Sequence, residues 1–281
     1  AHVAPERLLA SPEALEEFQQ TLQASGLTIS ALSCHGNPVH PDPAKAEEYH
    51  EDMCNTVRLA EKLGVDTITC FSGCPGDCEA SRYPNWVTCA WPDDNLDILK
   101  YQWDKVLIPY WKNFVQAAKD CGVNKIALEL HPGFSVYNVD TLKRLREAVG
   151  PEIGVNFDPS HLLWQGMEPV AVIRAFAGMI YHVHAKDVCI DRYNTALNGV
   201  LDTKHYSDEA HRSWIFRTVG YGNDAKYWKD IFSELRKTGY DGTISIEHED
   251  SLINRLEGLQ HAVDMVKSCA IFAETSGMWW A

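Results

Sequence analysis

The chain has 281 residues, 45% of them apolar and 23% charged, and a formal net charge of −14 from 39 acidic and 25 basic side chains. That is the composition of a globular protein with a large core. The acidic balance argues against nucleic acid as a partner, because phosphate recognition depends on clustered Lys and Arg, and no apolar run approaches the roughly 20 residues of a membrane helix.

In chain order, β-branched runs alternate with longer helical stretches. Helices are predicted over 12–24, 43–63, 96–121, 139–148, 168–176 and 225–238, and strands over 27–33, 66–72, 125–131, 153–158, 180–186 and 243–249. Gly26, Gly64, Gly122 and Gly239 stand where helices should stop before the next strand. This rhythm predicts an α/β fold with a parallel sheet, a (β/α)8 barrel forming one domain over 1–281. Six strands are evident where eight are needed. The first βα unit and the second strand are therefore expected to be missing from the N-terminus, with roughly 30–50 further residues in a native chain. One connection, 187–222, is long and polar but carries Tyr193, Tyr206, Trp214, Ile215 and Phe216 as apolar anchors, so it is expected to lie over the active-site face.

Nine cysteines without framework spacing predict reduced thiols in a cytoplasmic protein. Cys70, Cys74 and Cys78 are spaced four apart, but Pro75-Gly76 breaks any helix that would align them, which favours buried or loop thiols over a zinc site.

Side chains alternate across a strand. On that phasing Glu129 and His131, Asp158, His184 and Lys186, and Glu247 and Glu249 point inward, near the C-terminal ends of four strands. Burying those charges together without a compensating ion would be very costly. Glu129, Asp158, His184 and Glu247 are therefore expected to bind one divalent metal ion. Three carboxylates and one imidazole suit Mn²⁺, Mg²⁺, Co²⁺ or Fe²⁺ better than Zn²⁺, and Mn²⁺ is the expected ion. His131 is a candidate general base, since imidazole titrates near neutrality, or else a cap on the Pro132-Gly133 turn. Lys186 is placed to donate to a substrate oxygen or to pair with a carboxylate, and His35 is a further substrate-binding candidate.

Four segments, Glu129-Leu-His-Pro-Gly133, Asn156-Phe-Asp-Pro-Ser-His161, His182-Val-His-Ala-Lys-Asp187 and Gly239 through Asp250, resemble those of the sugar phosphate isomerase/epimerase superfamily of xylose isomerase-like TIM barrels. The resemblance implies the same four ligands, Glu129 and Glu247 as acid and base on opposite faces of a sugar, His161 on substrate oxygens, and an arginine after the metal histidine that would be Arg192. The expected reaction is isomerisation or epimerisation of a free sugar by proton abstraction beside a carbonyl, through a metal-stabilised enediolate. The Glu-x-His pair also resembles the catalytic subunit of C-glycoside deglycosidases, which implies β-elimination on 3-oxo-glycosides as the alternative, with Trp86, Trp91, Trp103, Trp164 and Trp214 available to stack on rings, although core and interface packing is the expected role of most of the nine tryptophans. The expected partner is a small sugar or sugar derivative. A homo-oligomer, or pairing with a small partner subunit, is expected alongside it. An endonuclease-like phosphodiesterase would need a basic face, which the charge balance opposes.

Overall fold

The computed structural model describes residues 2–280. Its strands are β1 (Leu32–Cys34), β2 (Thr67–Cys70), β3 (Lys125–Glu129), β4 (Ile153–Phe157), β5 (Ile180–Ala185), β6 (Asp187–Ile190), β7 (Trp214–Arg217) and β8 (Ile244–Ile246). Six of them form one sheet in the order β1-β2-β3-β4-β5-β8, while β6 and β7 form a separate antiparallel pair. The pairs β1–β2, β2–β3, β3–β4 and β5–β8 are parallel. These six are the six strands expected from the sequence, two short of a complete eight-stranded barrel. The first begins later than predicted, at Leu32, because Leu27 is exposed and only Leu32 of that strand is buried.

The chain divides into two units, one running through Phe157 with Met179–His182, the other comprising Asp158–Gly178 and everything from Val183 onward. In the first unit, helices α1 (Pro5–Ala10), α2 (Pro12–Ser25) and α3 (Pro43–Leu63) precede β2. Gly26 and Gly64 end α2 and α3 in the left-handed conformation, with φ of 66° and 68°, which only glycine adopts cheaply. Every residue of β2 and β4 is buried, and Met53, Val57, Leu59 and Ala60 of α3 contribute to the same core.

The predicted single helix over 96–121 is instead three pieces: α4 (Asp94–Tyr101), a π-helical turn (Gln102–Leu107) and α5 (Ile108–Asp120). Pro109 lacks an N–H and its ring crowds the carbonyl one turn back, so regular α-helical bonding cannot run through it. The wider turn also carries the buried Gln102, whose amide donates to the carbonyls of Pro75, Gly76 and Asn85. A side chain thereby holds the loop that follows β2. Helix α6 (Val139–Val149) opens with a capping box between Asn138 and Thr141.

The second unit contains α7 (Pro159–Leu163), α8 (Pro169–Ala175), α9 (Arg192–Asn198), α10 (Ala225–Lys237) and α11 (Arg255–Cys269). The long connection is ordered. Residues β6 and β7 pair from Asp187 opposite Arg217 to Ile190 opposite Trp214, and α9 lies between them. One buried carboxylate closes its base: Asp187 accepts from the backbone N–H of Val188, Gly220, Gly222 and Asn223, from the Asn223 amide, and more distantly from the Trp228 indole. The approach is tight enough that a Cβ on Gly222 would lie 2.4 Å from the Val188 oxygen and 2.7 Å from Asp187 Oδ1. Burial pushes the Asp187 carboxyl above its ordinary value despite the donors from Asn223, Gly220 and Val188 that pull it down. Of the five anchors proposed here, Trp214 is buried and Ile215 and Phe216 are partly buried, whereas Tyr193 and Tyr206 are exposed.

Cys70 and Cys74 are buried and Cys78 is exposed, and no thiol cluster of metal-binding geometry occurs among the described residues. Nor, among those residues, is any helix long and apolar enough to cross a membrane.

Two outcomes follow from these contacts. Asp187→Ala strands several amide donors, each costing about 1–3 kcal/mol when buried unpaired, so urea denaturation is expected to show a loss of at least about 3 kcal/mol, and limited proteolysis should cut within 187–222. Glu234 of α10 is gripped by Arg174 through Nε and Nη2 and by Lys237, which hold its carboxyl down at about 2 rather than 4.5. Between those values the unfolded chain binds the proton more readily, so the stabilisation is complete above the higher value and disappears as pH falls toward the lower. Glu234→Gln should therefore unfold more easily than native protein at neutral pH, with the gap closing on acidification; denaturation midpoints across that range check it, and a gap that widens contradicts the assignment.

Candidate metal centre

In the first unit, Glu129 ends β3 and is 2% exposed. Asn156, two residues before the inward Asp158, donates from Nδ2 to Glu129 Oε2 at 3.0 Å. Its other amide atom, Oδ1, lies 3.1 Å from His182 Nδ1. An amide oxygen can only accept, so His182 carries its proton on Nδ1. His35 Nε2 is 3.8 Å from Glu129 Oε2. The His35 and His131 rings both pack on Phe71, with centroids 4.5 and 4.9 Å away, and Phe134 stacks on the same ring at 4.3 Å. His131 Nδ1 lies 2.6 Å from the Pro132 carbonyl. That oxygen also only accepts, which puts the proton on Nδ1 and the basic lone pair on Nε2. His131 thus holds the turn, as one of its two expected roles required, in a tautomer suited to the other.

In the second unit, Asp158, His184 and Glu247 each offer one ligand atom within 4.8 Å of the others. Asp158 caps α7: its Oδ1 accepts from Ser160 N at 2.9 Å, which fixes the carboxylate and turns Oδ2 toward the histidines. His161 Nε2 stands 3.6 Å and His184 Nδ1 3.9 Å from that Oδ2. His184 Nδ1 is also 2.6 Å from Glu247 Oε2. Lys186, two residues on and therefore on the same face of the strand, is 3% exposed and places Nζ 3.0 Å from Glu247 Oε1 and 2.8 Å from Glu249 Oε2. Its ammonium also lies 4.2 Å from the centre of the Phe216 ring. Burial works to pull the Lys186 proton affinity down, but the carboxylates of Asp158, Glu247 and Glu249 outweigh it and leave it above the ordinary lysine value. Lys186 is a fixed cation.

The donor chemistry fits a divalent ion. Asp158, Glu247 and Glu249 bring three negative charges against the one positive charge of Lys186. Two of those carboxylates converge with an imidazole nitrogen, an oxygen-rich set that suits a hard or borderline cation. Hydrogen bonds from other groups already fix the orientation of Asp158 and Glu247, as ligand carboxylates require.

Residues 3–269 match the family of xylose isomerase-like TIM barrels. The chain belongs to that family. Over 269 residues it is 44% identical to the uncharacterised protein YfiH of Bacillus subtilis, spanning 95% of this chain and 85% of the relative. It is 28% identical over 149 residues to the inosose dehydratase of Geobacillus thermodenitrificans, a match that covers 53% of this chain and 47% of the relative. Among solved structures it is similar in fold to the 3-keto-D-glucoside 4-epimerase YcjR of E. coli, with a TM-score of 0.64, 12% identity, and coverage of 94% of this chain and 87% of that one. Among the described residues this member's main sheet has six strands.

Several expectations take a different shape. Arg192 lies exposed at the start of α9, its guanidinium over the Tyr193 ring and bonded to the Tyr193 hydroxyl. No described contact links it to Asp158, His184 or Glu247. Trp164, Trp214 and Trp103 are buried and serve as packing, the first two stacked on one another at 4.5 Å; Trp91 alone of the five proposed ring-stacking tryptophans is largely exposed. The sequence assigns no positioning role to Asn156 or Asp187, and marks Phe216 only as an apolar anchor. The first two lie inside the very motifs that carry the ligands, but their roles depend on partners 26 to 36 residues away, which spacing alone does not reveal.

Glu247→Gln removes a ligand charge and leaves Lys186 opposite a neutral amide. Metal analysis after dialysis is expected to give about one equivalent for native protein and well under a tenth of that for the variant. The native thermal midpoint alone should rise with added Mn²⁺; retained stoichiometric metal in the variant would refute the assignment.

Proposed function

We propose that the protein is a divalent-metal-dependent sugar isomerase or epimerase that removes a proton from the carbon beside a carbonyl. The observation that carries this reading is the convergence of Asp158, His184 and Glu247 beside a buried, permanently charged Lys186. We propose Glu129 as the fourth ligand and Mn²⁺ as the preferred ion. When bound, the ion supplies polarisation of a carbonyl and its neighbouring hydroxyl, and charge stabilisation for the enediolate left by proton removal.

The chain's own residues would divide the remaining work. Glu247, anchored by Lys186 and His184, takes or returns a proton through its carboxylate. Glu129 does the same from the other face of the sugar, its orientation set by Asn156. His131 offers Nε2 as an alternative base, with its ring orientation fixed by the Pro132 carbonyl. His161, fully buried and directed by Asp158, is suited to a substrate oxygen, as is His35 beside Glu129. Lys186 keeps its proton and orients carboxylates or a substrate oxygen without taking part in transfer.

A second reading, a lyase that eliminates water or an aglycone after the same proton abstraction, is favoured by the match to a dehydratase across half of this chain. One experiment separates the two. Mn²⁺-loaded protein is incubated with a panel of sugars and 3-oxo-sugars in D₂O, and products are followed by NMR and mass spectrometry. Deuterium beside a carbonyl in a product of unchanged formula, apart from the exchanged hydrogen, supports the isomerase. A lighter product supports the lyase, and no exchange with any substrate rejects both.

A further inference from the structure

The connection between β6 and β7 does more than cover surface. Within the second unit Phe216 of β7 touches two residues of the site. The Lys186 ammonium lies over its ring at 4.2 Å, and the His161 ring meets it edge-on at 5.5 Å. Tyr206, in the same connection, lies parallel to Phe216, with centroids 6.1 Å apart and planes 16° apart. Tyr206 is itself held. The buried Arg212 puts its guanidinium 4.3 Å from the Tyr206 ring and 4.7 Å from the Trp214 ring, and Trp214 is stacked on Trp164 in the core. Arg212 is fixed in turn by the carbonyls of Trp214 and Lys204. An aromatic ring locked by a buried cation and a stacked tryptophan pair would be expected to be buried too. Tyr206 instead remains 53% exposed.

We propose that Tyr206 is a substrate-binding platform one ring outward from the reacting centre, and that the protein prefers sugars bearing a flat apolar substituent over the free monosaccharide. This rests on the functional reading above for the location of the reacting sugar. The geometry gives the order: ligand carboxylate Glu247, Lys186, Phe216, then Tyr206. A sugar at the metal centre that carries a planar group toward the connection would bring that group to the Tyr206 ring. Stacking of one such pair adds about 3- to 10-fold in affinity, and a ring already immobilised loses little entropy on binding.

The test uses Mn²⁺-loaded full-length protein and titration calorimetry with matched pairs, each a sugar and its phenyl or 4-nitrophenyl glycoside. Native protein should prefer the aryl member by about 3- to 10-fold. Tyr206→Ala should abolish that preference while leaving the free sugar's affinity and the metal content unchanged, and Tyr206→Phe should keep the preference. No aryl preference in any pair, or one that survives Tyr206→Ala, overturns the proposal. The functional reading fails separately: an aryl preference lost in Tyr206→Ala but with no deuterium exchange on any sugar rejects the reaction and leaves the platform, whereas exchange without aryl preference does the reverse.

Discussion

Carboxylates held close together repel one another unless a positive charge stands among them, and the second unit is arranged around that constraint. Asp158, Glu247 and Glu249 share a single ammonium, that of Lys186, which three carboxylates hold protonated despite its burial. One cation does not balance three anions, and a divalent ion among Asp158, His184 and Glu247 would correct the deficit. The neighbouring structure follows from the same need. Asp158 is tied by its role as helix cap, so it cannot swing out to water, and Glu247 is tied by Lys186. A site that must hold repelling groups in place depends on such tethers more than on the ligands themselves.

The helices and sheet supply tethers of a second kind. Asn156 links Glu129 to His182 through the two ends of one amide, and this fixes both the carboxylate and the histidine tautomer. The π-helical turn places Gln102 against three carbonyls of the loop after β2. In both cases a neutral amide, able to donate and accept without bringing charge, does the positioning. That suits surroundings already rich in charge.

Much of this was legible in the sequence because parallel strands have a strict two-residue period. Once the runs holding Glu129, Asp158, His184 and Glu247 were recognised as strands, the inward face followed, and the three of these residues in the second unit do converge. All six strands of the sheet are legible, since each lies in or beside a short apolar run bounded by glycine or polar residues. What the sequence does not reveal is of another kind. The break of the helix at Gln102–Leu107 depends on a loop some 20 residues upstream that needs the Gln102 amide. The order within 187–222 depends on one aspartate collecting backbone donors from the far end of the segment. Composition marked that segment as polar and long, and neither property distinguishes a paired ribbon from a coil. The tryptophans divide for a related reason: most were expected to pack, and which ones do so, such as Trp164 and Trp214, is a property of their neighbours that a residue count cannot convey.

The pairing of β6 with β7 has a consequence for how such a protein can change over time. Asp187 lies opposite Arg217 and Ile190 opposite Trp214, so the segment between them leaves and re-enters the fold at adjacent points. Its length and sequence can vary without altering the spacing of the strands around Asp158, His184 and Glu247. The excursion behaves as an exchangeable cassette: recombination or insertion there would diversify the surface it presents while the strands that carry Asp158, His184 and Glu247 are inherited intact.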